Sequence, residues 1–156
     1  QIYGGGGNAG ALYTNDFIEL FNPGSSPVSL AGWRVAYASS TGTSWQYTAL
    51  TGTIQAGGYY LIQQGAGSGG TQALPTPDAT GGIAMSATAG KVVLVGDGSA
   101  LSGACPEGGG VIDRVAFGSA TGTSSCITEW GARTANLANT SSARRRDNGC
   151  AYTGVA

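Results

Sequence analysis

The chain has 156 residues, of which 41% are hydrophobic and 10% charged, with a net charge of −1. That suits one domain with a single core, and the total charge gives no indication of large-scale electrostatic attraction to nucleic acid or to an anionic membrane. Histidine is absent, which removes the usual general base, the usual imidazole metal ligand and the near-neutral pH switch together.

In chain order, Gln1-Ile2-Tyr3 reads as a short first strand, followed by four glycines at 4–7. A phosphate-binding loop needs Lys-Ser/Thr after its last Gly and a helix beyond. Here Asn8 and Ala9 follow and the next element is a strand, so the run reads as a loop. Residues 15–37, NDFIELFNPGSSPVSLAGWRVAY, organise the chain. Ile18 and Leu20 alternate with Phe17, Glu19 and Phe21, the period of two of a strand with unequal faces. Asn22-Pro23-Gly24 breaks it, since Pro removes a donor, Gly accepts positive φ and Asn closes a turn on its own backbone. Trp33, Val35 and Tyr37 then share a face that reads as core.

Trp45 to Leu50 alternates again, and Ala56-Gly57-Gly58 feeds a strand rich in aromatic and β-branched residues, YYLIQ. Residues 64–80 are the longest irregular region, and Pro75-Thr76-Pro77-Asp78 within it excludes a regular ladder. Ile83-Ala84-Met85 is expected to pair briefly, and KVVLV at 91–95 reads as a central strand. In VIDRVAF at 111–117, Val111, Asp113, Val115 and Phe117 are assigned to one face. Asp113 and Arg114 fall on opposite faces and do not bridge each other. Thr121-Gly122-Thr123-Ser124 repeats residues 41–44 without a wider period. A helical turn is expected within 126–133, and 141–147, SSARRRD, reads as a last strand before the Asn148-Gly149 turn.

Seven to nine short strands with Gly, Pro and Asn turns, and no long helix, point to an all-β antiparallel sandwich. The 29 glycines punctuate alternating apolar runs. Of the three cysteines, none in a CxxC arrangement that would suggest zinc, Cys126 and Cys150 are expected to form a disulfide joining the last strand to the loop before it, leaving Cys105 over. No apolar run approaches the ~20 residues that cross a bilayer. One Lys against six Arg favours an exported chain.

Candidate sites are few. Asp16 and Glu19 project to opposite faces of a strand and do not form the paired carboxylates of a retaining glycosidase. Asp16, Asp78 and Asp97 are weak calcium candidates because hard cations accept loop oxygens. No DxDxDG spacing accompanies them, so solvated turns are the default reading and no cofactor is expected. Arg144-Arg145-Arg146 is the one cationic cluster. Arg144 and Arg146 share a strand face and would grip an anionic polymer, DNA or an acidic glycan, against the plainer reading of a solvated polar face. Trp45 and Tyr47 share a face and would form an aromatic platform for sugars or bases, unless they are buried. Asn139-Thr140-Ser141 fits the glycosylation sequon. Nucleophilic catalysis lacks a base, and there is no GxSxG elbow.

The order FIELFNPGSSPVSLAGWRV, YTALTGTIQAGGYYLIQ, IAMSATAGKVVLV and VIDRVAFG resembles the lamin tail domain, over residues 1–117 with weaker support through 118–156. The leading YGGGGNAG and TNDFIELFN are similar to its bacterial, secreted branch. The resemblance implies one immunoglobulin-like β-sandwich over 1–156, without enzymatic activity. It also implies an extracellular or cell-surface structural or tethering role. A short, low-charge chain with a nearly absent first strand adds the expectation of an open sheet edge that pairs with a neighbour, as in a filament subunit. The alternative is a DNA- or polysaccharide-binding accessory to a secreted nuclease or phosphatase.

Overall fold

The computed structural model describes residues 1–118, 126 and 136–145. Its strands are β1 (Ile2–Tyr3), β2 (Asn15–Phe21), β3 (Val28–Ser29), β4 (Arg34–Ser39) and β5 (Gln46–Ala49), then β6 (Thr53–Ile54), β7 (Tyr59–Ala66), β8 (Ala79–Thr80), β9 (Gly90–Val95) and β10 (Val111–Phe117). Two four-stranded sheets, ordered β1-β2-β7-β8 and β10-β9-β4-β5, form an immunoglobulin-like sandwich, with β3 and β6 as a small separate pair. All of these pairings are antiparallel except β7 with β8. The alternation in the sequence maps onto the two layers. Ile18, Tyr60 and Ile62 of the first sheet meet Val35, Tyr37, Val92 and Phe117 of the second in one core, with Leu20, Trp33, Leu94 and Val115 at its margins. KVVLV is central, since β9 lies between β10 and β4.

The Asn22 turn forms as its residues dictate: the Gly24 amide donates to Asn22 Oδ1 at 3.0 Å, and Asn22 Nδ2 donates to the carbonyls of Ser26, Ile54 and Gln55. Residues 83–85 make no named strand. Gly65 donates to the Ile83 carbonyl, while the Ile83 amide turns to the buried Gln64 side chain.

Three expectations are corrected. A bulge between Val111 and Asp113 takes Ile112 out of register, so Val111 packs on the outer face of the second sheet while Val115 and Phe117 enter the core. An extra residue in one strand reverses the face of everything before it. The expected last strand shrinks to a single bridge in its described part, Ala143 with Ile2; Arg146 and Asp147 lie outside the described residues. That bridge also covers the outer side of β1, where Ile2 and Ala143 exchange both backbone hydrogen bonds, at 2.8 and 2.9 Å. The first strand's edge is therefore not open at Ile2.

The glycines at 4–7 are buried. A Cβ at Gly4, Gly5, Gly6 or Gly7 would run into the backbone of Ser86, Asn139, Asn15 or Gly67 respectively, and one at Gly67 or Gly69 into the backbone of residues 7 and 8. The run is a close-packed seam of backbone on backbone that only glycine permits.

Candidate functional site

The outer face of the second sheet holds the expected aromatic platform. Trp45 and Tyr47 do share a face, but both are half-buried against Ala36, Val93, Val95 and Cys126. Trp45 Nε1 donates to the Gly103 carbonyl at 3.0 Å, and the Tyr47 hydroxyl accepts from the Leu101 amide at 2.8 Å. The Arg34 guanidinium lies 4.0 Å from the centre of the Tyr47 ring. These rings hold down residues 96–110 and are not presented as a flat stacking surface. Beneath them Lys91 is wholly buried. Its ammonium donates to the carbonyls of Gly42 and Ala104, each at 2.7 Å, and lies 5.5 Å from the Trp45 ring centre. Burial pushes its pKa down, because the charged form has left water for two carbonyl dipoles and a ring face.

The same loop carries a disulfide, and it corrects the expected pairing: Cys126 is bonded to Cys105, not to Cys150. Strand alternation does not specify which loops meet across a face, and the 96–110 loop folds back over β9 to bring Cys105 to Cys126. Cys150 lies outside the described residues, as do the repeat at 121–124 and the expected turn after Cys126.

The three candidate calcium carboxylates are not brought together, and no cluster of metal-ligating side chains occurs among the described residues. Asp16 is buried, its two oxygens accepting the amides of Gly6 at 2.9 Å and Met85 at 2.8 Å. Burial pushes its carboxyl up to about 6, against the pull of those two amides. Asp78 accepts the Leu61 amide at 2.7 Å. Asp97 accepts the Ser99 amide, and hydrogen bonds from Ser99 hold its carboxyl below the usual range. Each closes a piece of backbone. Asn139 is similarly engaged: its side chain donates to the Ala9 carbonyl and accepts from Asn8, and its carbonyl accepts the Tyr3 hydroxyl.

Along the other margin of the sandwich the layers do not close. A cleft of about 440 Å³ runs between β1–β2 and β9–β10, with Ile2, Leu20, Phe21 and Leu94 among its walls and Tyr59 and Ile112 at its mouth. Tyr59 is 51% and Ile112 53% exposed, two of the three exposed large hydrophobic side chains among the described residues. The charges at the rim largely answer one another. Arg145 pairs with Asp113 at 2.6 Å, and Arg114 with Glu107 at 2.8 Å, so Asp113 and Arg114 take separate partners as expected from their opposite faces. Arg144 is exposed, while Arg146, its expected companion, lies outside the described residues. The cleft is not legible in the sequence because its walls are ordinary core residues and the bulge that leaves Ile112 at its mouth has no sequence signal.

A family model of the lamin tail domain matches residues 1–140. The chain belongs to that family. Lamin tail domains are immunoglobulin-like folds of structural and interaction type, and this lamin tail domain has the two-sheet architecture expected of one. Compared with curated proteins, the chain has no significant match. No helix among the described residues is long and apolar enough to cross a membrane.

Proposed function

We propose that this lamin tail domain is a non-enzymatic structural or tethering module of the bacterial cell exterior, acting by association with further copies of itself. The observation that carries the reading is the cleft: core side chains open to solvent, flanked by the exposed Tyr59 and Ile112. Exposed apolar side chains around a concave site are what protein contacts bury. A disulfide is at home in an oxidising compartment, which supports the external location.

The alternative, an accessory module for DNA or an acidic glycan, draws less support. Arg145 is already neutralised by Asp113, and Trp45 and Tyr47 are spent on the loop above them. Sedimentation of the purified protein over a wide concentration range tests the proposal, with concentration-dependent oligomers expected. A monomer throughout, with salt-sensitive binding to a polyanion, reverses the order of the two readings.

A further inference from the structure

The described residues expose three large hydrophobic side chains, Tyr59, Ile112 and Leu12, the last being 48% exposed. The first two flank the cleft. Leu12 sits at the other end of the first sheet: it precedes the Asn15 end of β2, whereas Tyr59 pairs with Phe21 at the far end. Seven residues of strand separate these ends by about 20 Å. Leu12 therefore does not reach the cleft of its own molecule.

From this we infer that Leu12 of one copy enters the cleft of the next, joining copies head to tail. This rests on the self-association proposed above and gives it a geometry. Leu12 stands on a rigid support. Its carbonyl accepts the amides of Thr71 and Gln72, both at 2.9 Å, and the chain on either side is fixed by Gly7 donating to Tyr13 and Thr14 donating to Gln72. Such a knob loses little conformational freedom on docking. Residues 1–15 carry no charged side chain; at the cleft's rim Glu19 and Asp113 face Arg144 and Arg145, and Arg114 is paired with Glu107. Neither surface repels the other. On the receiving side the bulged Ile112 lies over Gly96, whose missing side chain leaves it space at the mouth. Because knob and cleft are different surfaces at opposite ends, the contact is heterologous. It propagates as an open chain unless a rotation closes it.

A mixing experiment decides this. Leu12→Asp keeps its cleft and Ile112→Asp keeps its knob, and both residues are exposed, so folding is checked by an unchanged Tm. Each variant alone is expected to associate at least about tenfold more weakly than wild type. Mixed, the two are expected to form a dimer that grows no further, through the intact knob of one and the intact cleft of the other. Assembly is expected to persist in 1 M salt, where the screening length falls to about 3 Å. If wild type associates and either variant associates equally well, or the mixture stays monomeric, the head-to-tail contact is wrong while self-association stands. If wild type itself is monomeric at every concentration, the broader reading fails.

Discussion

The glycine seam and the open cleft lie in the same sandwich and solve opposite problems. At the seam, residues 4–7 are buried by backbone alone, and one carboxylate, Asp16, accepts the amides of Gly6 and Met85 that would otherwise lack partners. At the cleft, full-sized core side chains from both sheets meet and leave space of about 440 Å³ between them. The difference shows that burial and side-chain size are separate variables. A margin closes tightly where side chains are absent, because main chains then come into direct contact and their hydrogen bonds leave little freedom. A margin walled by leucine, isoleucine and phenylalanine keeps a shape that another molecule can complete.

The largest expected effect breaks the seam. Gly6→Ala places a Cβ against the Asn15 carbonyl and the Asp16 amide, where neither can move without disturbing β2. A loss of about 3 kcal/mol or more is expected, read as a fall in Tm of at least about 6 °C. A substitution tolerated without loss would mean that the seam is loose. Next comes the joint replacement Cys105→Ser with Cys126→Ser, which frees a loop of sequence separation 21. Denaturant titration is expected to show a loss of about 3 kcal/mol in the chain-entropy account.

Smaller again is Asp16→Asn, which keeps one acceptor and sets an NH₂ against the other amide, for about 1–3 kcal/mol. Its sharper signature is in pH. The folded carboxyl titrates near 6 against an ordinary value of 3.8, so between these values the folded state holds a proton that the unfolded chain has lost. Its stabilising contribution is complete below about pH 4 and disappears as pH rises through 6. The asparagine variant is expected to lack that downward slope in Tm. Ile112→Asp closes the series at the cleft, with stability changed by no more than about 0.5 kcal/mol. A large loss there would mean that the cleft mouth belongs to the folding core and that the contrast with the seam fails.

Much of the scaffold was readable before any coordinates, because period-two alternation is a direct statement about two faces. Ile18 with Leu20 and Val35 with Tyr37 follow from it, and the nearly continuous apolar run KVVLV marks an inner strand covered on both faces. What escaped depends on contacts far apart in sequence. Nothing near Val111 announces that Ile112 will bulge. Three cysteines permit several pairings, and only the return of the 96–110 loop selects Cys105 with Cys126. Trp45 and Tyr47 were rightly assigned a common face, but whether a loop covers that face is not a property of the strand. The glycines looked like a flexible loop because a seam is recognised only by what packs against it.

Lys91, the chain's one lysine, sits in an inner strand of the second sheet, between β10 and β4, wholly buried and with its amine beneath Trp45. A protease that cuts after lysine needs that backbone pulled out into its own active-site groove, which the native domain does not offer. Scission after Lys91 would then time the opening of the whole domain and not the fraying of a loop. Wherever such a protease is present, that concealment ties the lifetime of the chain to the stability of its fold.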